Sequence, residues 1–476
     1  MTLHHYRVSL VGLGYVGLCT AVTFASRDID TLGIEVDWSK RSRIAAGDTP
    51  FHEPELDSFL KRALQTNRLN VTGDVSAAAA SDVIFITVGT PSQPDGSMNV
   101  RYVEEAAKQI GMALRDEQDY RLLVVKSTVT PGTTRSIVKP ALEESCGRKV
   151  GDELGLCMNP EFLREGSAIP DALHPDKLVI GAIDEESASR LEGLYRAFYG
   201  GGLPPMIVTT PETAELVKYA SNAFLATKIS FINTVANIAQ QIPGVDVERV
   251  AQTIGLDPRI GPLFLKAGPG YGGSCFHKDV QALIAFSRDR GYDPRLLRTV
   301  EETNEEQAEK VVELSERLTG SLKDKRIAVL GVAFKKDTDD IREAASLRVI
   351  DQLKKRGADV VVNDPMAIPN ARTVLENRVE FAANPMSAIE AADCCIILTE
   401  WDEFRELTGA DFVAHMRRPN VVDARRLYRP EQLEGVNLMA VGLGPEDSNS
   451  ERPEGESSRS RAVKNASRFS ISGRKT

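Results

Sequence analysis

The stretch Tyr6-Arg-Val-Ser-Leu-Val11-Gly12-Leu-Gly14-Tyr15-Val16-Gly17 decides the fold. A short apolar run stops at a glycine, two further glycines follow, and a helical pattern begins. In a strand that hands over to a helix this way, each glycine has a task. The first makes the tight turn, the second lets backbone approach a pyrophosphate, and the third permits close helix packing. The next apolar run, Thr31-Leu-Gly-Ile-Glu35-Val36, completes a strand–helix–strand unit. Glu35 stands about 20 residues beyond the glycines, where an acid accepts from a ribose 2′-hydroxyl. An acid there repels a 2′-phosphate, which favours NAD over NADP. Lys40 is a counter-signal, because a nearby cation tolerates phosphate.

Working outward, Asp82 to Val88, Leu122 to Lys126, Leu154 to Met158 and Leu178 to Ile180 read as strands, with helical patterns at Tyr102 to Ala113 and Arg135 to Glu144 between them. Strands alternating with helices predict a doubly wound parallel sheet. After Pro211 the pattern becomes one long helix, Glu212 to about Gln241. Its Val217, Ala220, Phe224, Ile229, Phe231, Val235 and Ile238 make it apolar on nearly every side, so it is expected to be buried between partners. Two readings stay open: a domain core, or a spine that joins domains and also pairs two subunits. Further helices are expected at Val247 to Ile254 and Asp279 to Arg290. Lys325-Arg-Ile-Ala-Val-Leu-Gly331 opens a second Rossmann-like section, with a helix at Ala344 to Arg356, Gly357 ending it, and strands at Asp359 to Val362 and Cys394 to Leu398. The expected architecture is α/β: two Rossmann-like doubly wound parallel sheets joined by a long central helix and a helical middle domain. The expected divisions are 1–208, 209–322 and 323–445. Residues 446–476 carry too few large apolar side chains to offset their ordering entropy, which predicts a disordered tail.

Composition narrows the function. The 476 residues carry 58 Lys+Arg against 68 Asp+Glu, a net charge of −10, with 42% hydrophobic and 26% charged residues. That is the balance of an ordinary globular protein, and it favours neither nucleic acid nor an anionic membrane as partner. Cys19, Cys146, Cys157, Cys275, Cys394 and Cys395 show no zinc-like spacing, so reduced thiols, a cytoplasmic location and no metal centre are expected. Met1 to Leu10 lack a basic-then-apolar leader, and no apolar run approaches the roughly 20 residues of a membrane span.

Three further stretches carry chemistry. Gly268-Pro-Gly270-Tyr-Gly272-Gly273-Ser-Cys275-Phe-His-Lys-Asp279 is a glycine-dense loop leading into a helix. A cysteine near a helix N-terminus with Lys278 adjacent is expected to favour thiolate over thiol, and Asp279 shares its face. The plainer alternative is a buried cysteine in a loop that needs glycines. Asn159-Pro-Glu161-Phe162-Leu163-Arg-Glu165-Gly-Ser follows a strand end, where α/β sheets gather ligands. Its two glutamates also suit a helix's first turn. Lys218 and Asn222, four apart on the long helix, point the same way from an apolar background, where they are costly unless used. Pairing with an acid from elsewhere is the structural alternative. A dinucleotide fold combined with a nucleophilic cysteine exceeds what a two-electron alcohol oxidation needs. The cysteine becomes useful in a second oxidation, trapping an aldehyde as a thiohemiacetal and carrying it to a thioester.

At this point the chain resembles the UDP-glucose/GDP-mannose dehydrogenase family of nucleotide-sugar oxidases. The likeness runs from about Tyr6 to Tyr428, through Gly12 to Gly17, Gly89-Thr90-Pro91, Lys126-Ser127-Thr128, Asn159 to Gly166, Lys218 to Asn222, Gly268 to Asp279 and Ala333-Phe334-Lys335-Lys336-Asp337. The resemblance implies a four-electron oxidation with Cys275 as nucleophile. It implies that Lys218 and Asp279 stabilise charge or order water, Asn222 holds the sugar oxygen, Glu161 serves hydrolysis and Thr128 positions water. It further implies that Gly12, Gly14, Tyr15, Val16, Gly17, Glu35, Lys40, Thr90, Thr128, Glu165 and Arg342 serve NAD. The nucleotide sugar falls to Phe162, Leu163, Lys218, Asn222, Phe264, Leu265, Gly272, Phe334, Lys335 and Arg425, and Arg259 to the substrate of a neighbouring subunit in a homodimer. The third section retains only Gly331 where a dinucleotide site has three glycines, so it suits a nucleoside diphosphate held by cations such as Lys335 and Arg425. Three positions depart from the family: Glu35 for the commoner Asp, His277 for Pro or Gln, and Ala345 for a frequent Pro. The segments Arg259 to Leu265 and Phe162 to Ala168 look like those of UDP-glucose members, ahead of GDP-mannose or UDP-N-acetylmannosamine ones. A two-electron hydroxy-acid dehydrogenase is the more distant alternative.

Overall fold

The computed structural model describes residues 5–445; the expected tail, 446–476, lies outside the described residues. Two sheets organise the chain. The first runs in the order β3-β2-β1-β4-β5-β6-β7-β8. Its strands are β1 (Arg7–Val11), β2 (Asp30–Ile34), β3 (Leu69–Thr72), β4 (Val83–Ile86), β5 (Arg121–Val125), β6 (Leu154–Met158), β7 (Leu178–Ala182) and β8 (Met206–Thr209). Residues such as Leu10, Phe85 and Val124 are wholly buried, as strands covered by helices on both faces require. The sheet is doubly wound as expected, with one pair reversed: β6 and β7 run antiparallel, Cys157 facing Ala182. The short connection from Met158 to Leu178 carries only the helix Ala168–Leu173, so the chain doubles back beside β6.

The second sheet has the order β11-β10-β9-β12-β13-β14 and is parallel throughout. Its strands are β9 (Arg326–Leu330), β10 (Asp359–Asn363), β11 (Glu380–Phe381), β12 (Cys394–Ile397), β13 (Asn420–Asp423) and β14 (Asn437–Ala440).

Between the sheets lies the spinal helix, Pro211–Ala239, opened by Thr210, whose hydroxyl accepts from Thr213 N, and by Pro211 in its first turn. Its buried face is not the set of residues expected from the sequence. Ala214, Lys218, Tyr219, Asn222, Ala226, Asn233 and Ala236 point inward, whereas Ala220, Phe224, Phe231 and Ile238 are exposed and Val217, Ile229 and Val235 half-buried. Small and polar residues face the domains because helices and loops press close against them. The large apolar residues form a stripe that one chain leaves uncovered. The cysteine helix, Phe276–Asp289, and a 25-residue flanking helix, Arg295–Thr319, pack against the spine. The sequence reading missed the flanking helix, whose buried stripe of Val300, Asn304, Gln307, Ala308, Val311 and Ser315 is half polar. No helix among the described residues is long and apolar enough to cross a membrane.

Candidate active site

The N-terminal glycines make the tight turn and the close helix packing that their spacing predicts. Gly12 takes φ +98° while its N–H donates to Ile34 O at 2.8 Å, and a Cβ at Gly17 would sit 1.9 Å from Gly12 O. A Cβ at Gly14 would meet nothing within 4 Å, so the space beside the turn is open. The helix Tyr15–Ala25 begins there with no side-chain cap, leaving its first N–H groups free to face an anion. Glu35 lies just past β2, buried, accepting from Leu13 N at 3.2 Å and from Lys40 Nζ at 2.8 Å. Lys40's charge is therefore committed to Glu35, which removes the counter-signal toward a 2′-phosphate. Beyond Glu35 opens a groove of about 420 Å³ lined by Val36, Val75, Gln109 and Met112, among others. Turn, bare helix end, acid and apolar groove fit the pyrophosphate, ribose and base of NAD. Thr90 and Thr128 stand half-buried past the ends of β4 and β5, on the same edge of the sheet.

The second cluster forms where that edge meets the spine. Lys218 Nζ donates to Glu161 Oε1 at 2.9 Å, and Asn222 Nδ2 donates to Asp279 Oδ2 at 2.6 Å. Glu161 comes from the loop after β6, Lys218 and Asn222 from the spinal helix, and Asp279 from the cysteine helix; all four are buried. Cys275 sits at the N-cap of its helix, with Ser274 Oγ 3.4 Å from its Sγ. Burial works against the Glu161 charge, but the Lys218 ammonium, the Leu163 N–H at 2.6 Å and Lys126 outweigh it and hold the carboxyl below its usual range. Lys218 is likewise held ionised against its burial, chiefly by Glu161 and with help from Asp279. Lys126, at the end of β5, donates to Asn159 Oδ1 at 3.0 Å, and burial pushes it down to about 8.

Cys275 differs from expectation. Burial pushes its thiol up; Lys218 pulls it down, while Glu161 and Asp279 push it further up. Lys278, expected to favour the thiolate, is 2.6 Å from Asp279 Oδ1 instead. On balance these surroundings favour the thiol over the thiolate.

Glu165 gathers a third set. It accepts from Ser274 Oγ at 2.9 Å and lies 3.5 Å from Arg342 Nη2, which is itself 2.6 Å from Asp340 Oδ2. Burial, then Asp340, push Glu165 up to about 7. Lys335 is near enough to Glu165 to feel its charge, and burial lowers its pKa. Phe334 closes on the cysteine loop: a Cβ at Gly273 would strike its ring at 2.8 Å, and one at Gly272 would strike Glu343 O at 2.4 Å. Arg425 donates to Phe334 O at 2.9 Å and to Leu398 O at 2.7 Å, and lies 3.3 Å from Glu400. Phe162 has Lys177 and Lys218 over its ring, at 4.6 and 5.5 Å. Leu265 is buried near the second sheet, and Phe264, at φ +63°, meets Phe276 edge-on at 6.1 Å. Arg259 stays apart: its side chain is 87% exposed and pairs with Asp257 at 2.6 Å.

The sequence reading missed Glu53. Its buried carboxylate accepts from Gly166 N and Ala168 N, each at 2.7 Å, and from the Tyr15 hydroxyl, tying the glycine turn to the loop that carries Glu161 and Glu165. An acid flanked by His52 and Pro54 in a loop gave no periodic signal.

Fold and site together define a dinucleotide-dependent oxidoreductase with a cysteine close to the buried Lys218, Glu161 and Asp279. The chain belongs to the UDP-glucose/GDP-mannose dehydrogenase family. Residues 6–199 match its NAD binding domain, 212–306 its central domain and 328–430 its UDP binding domain. The chain is 40% identical over 439 residues to the UDP-glucose 6-dehydrogenase TuaD of Bacillus subtilis, covering 92% of this chain and 93% of that one. It is 42% identical over 434 residues to the UDP-glucose 6-dehydrogenase AglM of Haloferax volcanii, covering 91% and 100%. A solved UDP-glucose dehydrogenase from Pyrobaculum islandicum superposes with a TM-score of 0.86 at 41% identity, over 93% of this chain and 99% of that one.

Proposed function

We propose that the protein oxidises UDP-glucose to UDP-glucuronate with NAD, removing four electrons through a thiohemiacetal and then a thioester on Cys275. The reading is carried by one arrangement: a half-buried Cys275 meets the buried Lys218, Asn222, Asp279 and Glu161 between a dinucleotide-type sheet and a second sheet of UDP-binding class. The named activity of the two relatives supports the choice of sugar.

Bound NAD supplies the hydride acceptor for both oxidations. The chain's residues do the rest. Cys275 Sγ forms its bond to the aldehyde carbon as the carbon–oxygen double bond opens, and the thiol proton passes to that oxygen to give the thiohemiacetal hydroxyl, while the Lys218 ammonium favours the negative charge that builds up beside it. Asn222, its amide aligned by Asp279, donates to the sugar oxygen. Glu161, kept ionised, takes a proton from the water that cleaves the thioester, and Thr128 orients that water. Phe334, Lys335 and Arg425 hold the uridine diphosphate against the second sheet.

The exposed stripe supports a homodimer through the spine. Phe224, Phe231 and Ile238 recur at seven-residue spacing, and Leu256 and Leu263 beyond the helix are also bare. Arg259, free of its own site, then reaches the substrate of the partner. Light scattering should give twice the 52.0 kDa of one chain, and a monomer that turns over at full rate would overturn the pairing. The function itself is tested by NADH yield on a panel of UDP-glucose, UDP-N-acetylmannosamine and GDP-mannose. Two NADH per UDP-glucose is the expected result; one per sugar, or preference for another sugar, overturns the reading.

A further inference from the structure

One buried cluster has no part in the chemistry above. Glu301, on the flanking helix, is 3% exposed. Its Oε1 accepts from the Tyr271 hydroxyl, and its Oε2 accepts from Gln281 Nε2 at 3.1 Å and lies 2.5 Å from His277 Nδ1. Tyr271 precedes Cys275 in the glycine loop, while His277 and Gln281 follow it in the helix. One carboxylate on a neighbouring helix therefore grips the chain on both sides of the cysteine. Tyr271 is fixed a second time by its backbone: its N–H donates to Asn304 Oδ1 at 2.7 Å, and its carbonyl accepts from Asn304 Nδ2 at 3.1 Å and Arg348 Nη2 at 3.3 Å. The Tyr271 ring stands edge-on to Phe276, the residue next to Cys275, at 5.9 Å.

A carboxylate buried among neutral donors such as Tyr271 and Gln281 is costly, and a cation beside it removes much of that cost. His277 is the side chain placed to supply it.

We propose that Glu301 and His277 form a positioning pair for Cys275: protonated His277 locks the start of the cysteine helix onto the flanking helix, and loss of that proton loosens the nucleophile. Neither residue is needed to touch substrate or cofactor. The charged groups around His277 are Glu301 on the flanking helix, Glu343 from the loop before the helix Ala345–Lys355, and Arg348 on that helix. Glu301, through its direct contact, raises the His277 pKa above the ordinary value; burial and Arg348 oppose this and Glu343 adds to it. Because the folded pKa is raised, the lock is complete below the ordinary histidine range and is lost as pH rises through the folded value. The proposal rests on Cys275 being the nucleophile, so its test includes readouts that do not depend on turnover.

The experiment uses the full chain and the variants His277→Ala, His277→Gln and Glu301→Gln, with circular dichroism to confirm folding. The histidine ring signals are followed by NMR, and alkylation of Cys275 by iodoacetamide is followed by mass spectrometry, between about pH 6 and pH 9. His277 should titrate above the free-histidine value in the parent and fall back toward it in Glu301→Gln. The alkylation profile of the parent should show an inflection at that same pH, absent from His277→Gln. In turnover, His277→Ala should lose about tenfold in kcat with KM for both substrates changed less than about twofold. His277→Gln, whose amide can still donate to Glu301, should recover most of that rate near neutrality. A His277 titration unmoved by Glu301→Gln, or an alkylation profile unchanged in His277→Gln, overturns the pair. If the parent failed to oxidise UDP-glucose at all, the functional reading would fall, while titration and alkylation would still decide the fate of the pair.

Discussion

The two sheets begin alike and diverge after one glycine. Gly12 and Gly331 both take φ +98°, and each donates its N–H at 2.8 Å to the carbonyl that ends the neighbouring strand, Ile34 or Asn363. In the first sheet the chain then enters the helix Tyr15–Ala25 almost at once, and Glu35 accepts only two backbone N–H groups, from Leu13 and Asp37. In the second sheet the next helix waits until Ala345, and the matching acid, Asp364, is saturated. It accepts from Val332 N, Ala333 N, Met366 N, Ala367 N and Trp401 Nε1. The same topology thus offers a ligand bare backbone donors in one half and fills the corresponding space with its own carboxylate in the other. With that space filled, the nucleotide of the second half falls, in the function proposed above, to side-chain cations, Lys335 and Arg425. A Rossmann-like order of strands therefore specifies where a ligand binds, and the residues after the first glycine specify which.

The largest test of this division is at the seam. Cys275→Ala should abolish NADH formation from UDP-glucose beyond the aldehyde stage, a loss of at least about a thousandfold in the overall rate by coupled product assay. Asp364→Ala should strip several buried N–H groups of their acceptor and cost about 3 kcal/mol, seen as a lowered Tm with NAD affinity unchanged. An equal loss of NAD binding would break the comparison. Gly14→Ala should do the reverse. The backbone there, φ −68°, accepts any residue and the added methyl meets no protein atom. The Tm should hold while NAD affinity, by calorimetry, falls about tenfold because the methyl occupies the approach to the turn. Lys335→Ala should raise KM for UDP-glucose about tenfold and leave KM for NAD alone.

The smallest effect is in stability against pH. Glu165 is pushed from 4.5 to about 7, so across that interval the folded chain binds more protons than the unfolded one. Its contribution is complete below the unfolded value and is lost as pH rises through the folded one. Thermal melts of Glu165→Gln should lose less stability than the parent between those two pH values; parallel curves would show that the carboxyl is ordinary.

Much of this division was legible in the residues. Gly12 to Gly17, Glu35 and the strands β1, β4, β5 and β6 followed from spacing and apolar runs, because local turn chemistry and alternation with helices leave few other folds. The meeting of Cys275 with Lys218, Asn222, Asp279 and Glu161 was visible as motifs whose juxtaposition only the resemblance supplied. What stayed hidden was decided by tertiary burial. The cysteine's proton depends on how deeply it is packed, and no sequence neighbour reports that. The spine's inner face is built of small and polar residues, since Lys218 and Asn222 must reach a site and Ala226 and Ala236 must let backbones close. The large residues that suggested a core face outward. Glu53 and Glu301 act through contacts with residues far along the chain, where periodicity carries no signal.

The spinal helix also has a mechanical consequence. Lys218 and Asn222 ride one 29-residue rod that passes between both sheets. Points on an axle travel least when the bodies mounted on it rotate. Were either sheet to turn about this rod, points near it would move least, and the two donors, fixed on one helix, would keep their separation. A single helix therefore sets the geometry of Lys218 and Asn222 relative to each other independently of either sheet.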